Sequence, residues 1–255
     1  MRTFGPASEV ASPPAAWGIR RAVRMAFPEP AALAGDPVHA ERLARYLADL
    51  LHPYGLSPDP SEHVGQSYGE MGEALIHAAV PAGESVDLLV LAYSIPDLTP
   101  GRATATYLSH VCPGTPMAFA VSDQGTASAF TALRLVDAYA RSGGLRRALL
   151  LVVEQNSLPY DPGIPVTVPA ESRGVALLFG EPLPGERPAR VSAPAAEPAG
   201  AELLRNSDPS QPGTGVWWEL AGELARPAAG PRRLLLADHD SGRLVTVDLD
   251  GEVPR

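Results

Sequence analysis

The chain has 255 residues, 45% of them hydrophobic, with a net charge of −9 at neutral pH. That length can bury a sizeable core, as one large domain or two small ones, and the acidic balance gives no electrostatic basis for binding nucleic acid or an anionic membrane surface. All 20 basic residues are arginine, so no lysine is available for Schiff-base chemistry.

The opening stretch MRTFGPASEVASPPAAWG holds no apolar segment of signal-peptide length, and no run of 18 apolar residues occurs anywhere. The expectation is a cytoplasmic protein with a disordered N-terminus over 1–16. The first strand is expected over 18–27, GIRRAVRMAF, stopped by Pro28. Asp36-Pro37 supplies an N-cap and first-turn proline for a helix over 38–52, with Leu43, Leu47, Leu50 and Leu51 as its apolar stripe. A proline-rich loop over 53–60 leads to a second helix near 66–79.

Residues 86–93, VDLLVLAY, form a near-continuous apolar run, as expected of a central strand covered on both faces. A short helix follows Pro100, ending near Cys112, the single cysteine. One cysteine excludes an internal disulfide and any thiolate metal cluster, and its place in LSHVCPGTP reads as a semi-buried loop position. The six histidines, His39, His52, His63, His77, His110 and His239, show no ligand spacing, so neither metal nor cofactor is expected.

A short strand over Met117–Val121 enters a turn, Asp123-Gln124-Gly125-Thr126, and then a helix from about 126 to 142. Phe130, Leu133, Val136 and Ala140 mark that helix's apolar face, and Gly143-Gly144 ends it. Buried strands are expected over 147–155 and 173–181. Residues 182–205 are rich in Pro, Ala and Glu and read as a linker with one edge strand at ARVSA. A helix over 215–226, with Trp217-Trp218 as core or interface anchors, precedes a hairpin turning at Asp240-Ser241-Gly242. Alternating strands and helices indicate an α/β architecture with a layered, buried sheet.

Four segments carry a closer resemblance: WGIRRAVRMAFPEP, VDLLVLAYSIPDLTPGRATATYLSHV, AFAVSDQGTASAFTALRLVDAYARSGGLRRALLLVVE and RGVALLFGE. In order and spacing, residues 17–181 resemble the N-terminal half of the ketosynthase III-like branch (beta-ketoacyl-acyl carrier protein synthase III) of the thiolase superfamily. The closing stretch from SQPGTGVWWELAGELARP to LVTVDL is similar to that family's end. The resemblance implies a thiolase-like layered α-β-α fold with a complete N-terminal half, a linker over 182–205, and residues 206–255 as a reduced C-terminal half.

It also implies a nucleophile-equivalent position at Thr126, after Gln124-Gly125, where the family has cysteine. The family's catalytic asparagine would fall on Ser210, with Asn206 as the gapped alternative. The region that should carry the catalytic histidine is replaced by the linker, and His239 lies beyond it. A helix N-terminus can bring a thiol to its thiolate, whereas a threonine hydroxyl needs an adjacent general base. Asp123 is the only neighbour in sequence with a titratable group.

Two functions from different classes are compatible with these features. The first is a non-catalytic subunit that pairs through Met117–Val121 with a competent ketosynthase III-like paralogue, or with itself, and shapes an acyl pocket in fatty-acid- or polyketide-like biosynthesis. The second is a stand-alone acyltransferase, thioesterase or cyclase on acyl thioesters of CoA or an acyl carrier protein. That enzyme would use Thr126, Ser122 or Ser128, or form no covalent intermediate. Arg20, Arg21 and Arg24 read as strand-exterior charges that could also meet an acidic carrier protein.

Overall fold

The computed structural model describes residues 17–58, 65–99, 103–142, 144–158, 160–184, 186, 189–192, 201–204, 208–227, 230–238 and 243–249. The first sheet contains β1 (Gly18–Ala26), β2 (Leu88–Ala92), β3 (Met117–Val121), β4 (Arg147–Glu154) and β5 (Arg173–Gly180). Its spatial order is β3-β2-β4-β5-β1; β3, β2 and β4 run parallel, and β5 is antiparallel to both of its neighbours, β4 and β1.

The strand period of two explains why these segments are apolar without interruption. Leu88 and Val90 face one side with Leu150, Val152, Val175 and Leu177. Leu89 and Leu91 face the other with Leu149, Leu151 and Ala176. Two helices, α2 (Tyr68–Ala79) and α3 (Thr104–Val111), close the second side through Met71, Leu75, Ile76 and Leu108. The first side is closed by α4 (Ala127–Arg141) and α5 (Gly215–Leu224), through Phe130, Leu133, Val136, Trp217 and Leu220. Helix α1 (Pro37–Leu51) is capped by the Asp36 side chain, which accepts from the Val38 N–H, and buries only Leu47 and Leu51.

A second sheet lies beyond α4 and α5. It holds β6 (Arg190–Ser192), β7 (Glu202–Leu204), β8 (Arg232–Asp238) and β9 (Arg243–Leu249), ordered β6-β9-β8-β7. Leu234, Leu236, Val245 and Val247 enter the same core cluster as Phe130 and Trp217, so the layer order is helix, sheet, helix, sheet. β6 and β7 both fall in the stretch read from sequence as linker. The turn at 240–242 lies outside the described residues.

The two sheets share a plan. β7 is parallel to β8, β8 antiparallel to β9, and β9 antiparallel to β6. The same relations hold for β2, β4, β5 and β1. What the second sheet lacks, among the described residues, is a strand in the place of β3. The repeat is one of topology, and no sequence periodicity announced it.

Arg20 departs from its sequence reading. It was expected on the strand exterior, yet its side chain is 1% exposed and donates to Glu84 and Glu186 at 2.6–3.2 Å, while Arg147 also pairs with Glu84. A buried guanidinium requires such compensation. Hydrogen bonding to Arg20 holds both carboxyls below their ordinary range. Their contribution to stability is therefore complete above the unfolded glutamate value of about 4.3 and is lost as pH falls through the lowered folded values. We expect Tm to drop as pH falls below about 4.3, and Arg20→Met to lose that share of the pH dependence; thermal melts across a pH series read both.

Arg21 and Arg24 are exposed as expected. The Arg24 guanidinium donates to the Trp218 carbonyl at 3.1 Å, and both Arg24 and Arg173 lie 5.0 Å from the Trp218 ring centroid. Trp217 is the core anchor of the pair, at 1% exposure. No described helix is long and apolar enough to cross a membrane.

Candidate functional site

The segment that presents Thr126 is built as its sequence suggests. β3 ends at Val121, the chain reverses through Ser122–Gly125, and α4 begins at Ala127. Two residues take the left-handed region: Gly125 at φ 54°, where glycine carries no steric cost, and Asp123 at φ 60°, where a side chain does. Thr126 occupies the N-cap position with helical φ of −60° and closes no side-chain capping bond. The Gln124 amide oxygen accepts from the Thr131 hydroxyl at 2.6 Å, and Ser122 donates to the Asp123 carboxylate at 2.7 Å.

A helix N-terminus aids a nucleophile only with amides free to bind developing charge. Here the Ala127 N–H donates to the Gln124 carbonyl at 3.1 Å, and the Ser128 N–H to the Gly125 carbonyl at 3.2 Å. The turn itself uses two of the helix's leading amides. Space is equally limited. The cavity beside Thr126 measures about 10 Å³ and is lined by Ala92, Tyr93, Gly125, Ser128, Gly213 and their neighbours. That is room for about one water molecule. None of its lining residues is His, Cys, Asn, Asp or Glu.

Ser128 is 3% exposed and its hydroxyl is buried at this cavity without a hydrogen bond. Ser210 does not line the cavity: its hydroxyl donates to Asp208 at 2.5 Å, its carbonyl accepts from the Ala170 N–H, and Asp208 pairs with Arg173. Of that segment, Gly213 reaches the cavity, and it brings no side chain. Asn206 and His239 lie outside the described residues. Cys112 is 2% exposed at the end of α3, and burial pushes its thiol up to about 12, which keeps it protonated and unreactive at neutral pH. No group of three or more His, Cys, Asp or Glu gathers for a metal among the described residues.

Sequence reasoning assigned no role to Glu154, the carboxylate that ends β4 after the apolar run Ala148–Val153. It is fully buried, and its Oε2 accepts from the Gly213 N–H at 2.8 Å. Its Oε1 accepts from the Thr214 N–H at 3.0 Å and from the Thr214 hydroxyl. Burial raises the Glu154 pKa, and these three bonds pull against that rise. Glu154 thus caps α5 from the first sheet and draws Gly213 toward Thr126. A Cβ on Gly213 would stand 2.9 Å from Glu154 Oε2, so a side chain there would push the carboxylate aside.

Neither family models nor curated proteins match this chain. Solved structures do. A Glu-to-Gln variant of OleA from Xanthomonas campestris superposes with a TM-score of 0.57 at 10% identity, over 92% of this chain and 98% of that one. A Cys-to-Ser variant of the same OleA, with bound lauric acid and lauroyl-CoA, gives 0.56 at 11%, over 91% and 98%. HMG-CoA synthase complexed with CoA gives 0.52 at 11%, over 92% and 83%. The fold is thiolase-like. At such identities the likeness extends to the fold alone, and the thiolase-like frame carries Thr126 at its strand-to-helix turn with the cavity nearly filled.

Proposed function

We propose that this chain is a non-catalytic, ketosynthase III-like subunit. It pairs through Met117–Val121 with a competent, cysteine-bearing ketosynthase and shapes that partner's acyl pocket in fatty-acid- or polyketide-like secondary metabolism. The observation that carries this reading is the cavity of about 10 Å³ at Thr126, with no base among its lining residues and two of the helix's leading amides already engaged. An acyl intermediate needs space for its chain, an activated nucleophile and donors for the oxyanion.

The pairing half of the proposal rests on β3. It is an edge strand whose sequence, MAFAV, is wholly apolar, and Met117 is 41% exposed. An edge of this kind is a template for another chain's strand. The CoA and lauroyl-CoA ligands named for two of the thiolase-fold neighbours fit a pathway of thioester chemistry.

The catalytic reading is tested directly. Wild-type protein and Thr126→Cys, incubated with acetyl-CoA or lauroyl-CoA, are both expected to show no mass increase on intact mass spectrometry. Supplying a thiol restores neither the space nor the donors. A stoichiometric acyl adduct on wild-type Thr126 would instead establish a stand-alone acyltransferase, thioesterase or cyclase.

A further inference from the structure

Glu154 and Arg173 stand opposite one another where β4 ends and β5 begins. Side chains opposite on neighbouring antiparallel strands share a face, here the face that α5 covers. Together they hold one segment at both ends. Arg173 bonds the Asp208 carboxylate at 3.2 Å, and the Glu154 carboxylate accepts from the Gly213 N–H, the Thr214 N–H and the Thr214 hydroxyl. Between these ends the Ser210 carbonyl accepts from the Ala170 N–H at 3.0 Å. Residues 208–214 form neither helix nor strand.

Where this segment is fastened decides what it covers. Gly213 lines the Thr126 cavity, whose volume is about 10 Å³. Glycine brings no side chain to pack, so its place is set by its own amide and that of Thr214, and both end on one carboxylate. That carboxylate is fully buried after the apolar run Ala148–Val153. Burying a charge is costly, and an apolar side chain of similar volume often serves stability as well or better. An apolar residue at 154 would fill the core and leave Gly213 unfastened.

We propose that residues 208–214 are an occluding strap, fastened by Glu154, and that unfastening it opens the space at Thr126 without unfolding the protein. Glu154 is thereby a positioning residue that acts through Gly213. The strap presupposes the closed, non-catalytic elbow proposed above but not the pairing through β3, which size exclusion reads separately.

The test uses Thr126→Cys in the full chain, with methyl methanethiosulfonate as the probe and peptide mass spectrometry to read each cysteine by itself. Cys112, 2% exposed in the core on the opposite side of the first sheet, reports global opening. Glu154→Gln keeps the shape but offers one acceptor oxygen where the carboxylate has two, so one of the two amides loses its partner. Labelling at position 126 should rise about tenfold over Thr126→Cys alone, with Cys112 labelling unchanged. Thr214→Val removes the hydroxyl bond and leaves both amides fastened, so about a threefold rise is expected; it carries the test if Glu154→Gln does not fold. Fast labelling at position 126 with the strap intact, no acceleration in either variant, or equal acceleration at Cys112 would overturn the strap.

Discussion

Ala120→Pro is expected to give a protomer that folds normally and no longer pairs with its partner subunit. The hydrogen bonds of β3 fix why. Met117 donates its N–H to the Asp87 carbonyl at 3.0 Å, and the Val121 carbonyl accepts from the Tyr93 N–H at 3.2 Å. In a parallel pair the amide and carbonyl of one residue point the same way, and alternate residues point opposite ways. Met117, Phe119 and Val121 therefore bond inward to β2, and Ala118 and Ala120 present their groups to the open edge. Proline at 120 removes an edge donor and no intramolecular ladder bond, the one placement a strand tolerates. The complex should be lost on size exclusion while the protomer's Tm stays within a few degrees of wild type. A Phe119→Pro control, which breaks an inward bond, should destabilise the protomer itself.

Trp217→Ala is expected to cost about 3–5 kcal/mol of folding stability, a large share of the roughly 5–15 kcal/mol of an ordinary domain. Trp217 is 1% exposed, and its ring meets Phe130 of α4 edge-on at 5.0 Å, in the cluster that also holds Leu234 and Val247 of the second sheet. The substitution opens a cavity where both sheets and both central helices converge. Urea unfolding followed by fluorescence and by far-UV circular dichroism should show one transition shifted as a whole. A cost below about 1 kcal/mol, or two separated transitions, would mean that α5 and the second sheet are an appendage rather than half of one core.

Much of the first sheet was legible because its strands are buried on both faces and so write themselves as unbroken apolar runs. Leu88–Ala92 and Ala148–Val153 are examples. The cap at Asp36 and the stripe of α4 were equally legible, being local. The short strand β7 was not: three residues are too few to carry a period, and it sits in Pro/Ala-rich surroundings. β6 is equally short but was read as the edge strand at ARVSA, and it does form an edge of the second sheet.

The burial of Arg20 was illegible for a different reason. Its partners lie 64 and 166 residues away in sequence, and nothing near Arg20 distinguishes it from the exposed Arg21. Glu154 left one usable trace, a carboxylate at the end of a run that otherwise holds only buried apolar side chains. The turn at Thr126 was readable as a strand-to-helix elbow. Its nearly filled cavity was not, because that volume is set by Gly213, which Glu154 draws in from 59 residues further on.

The most direct test of the subunit role is purification of the tagged, full-length protein from its native host, followed by native mass spectrometry. A non-catalytic subunit should emerge as a stable one-to-one complex with an intact, cysteine-bearing ketosynthase, lost in Ala120→Pro. A homodimer with no such partner, together with an acyl adduct on Thr126, would contradict that role.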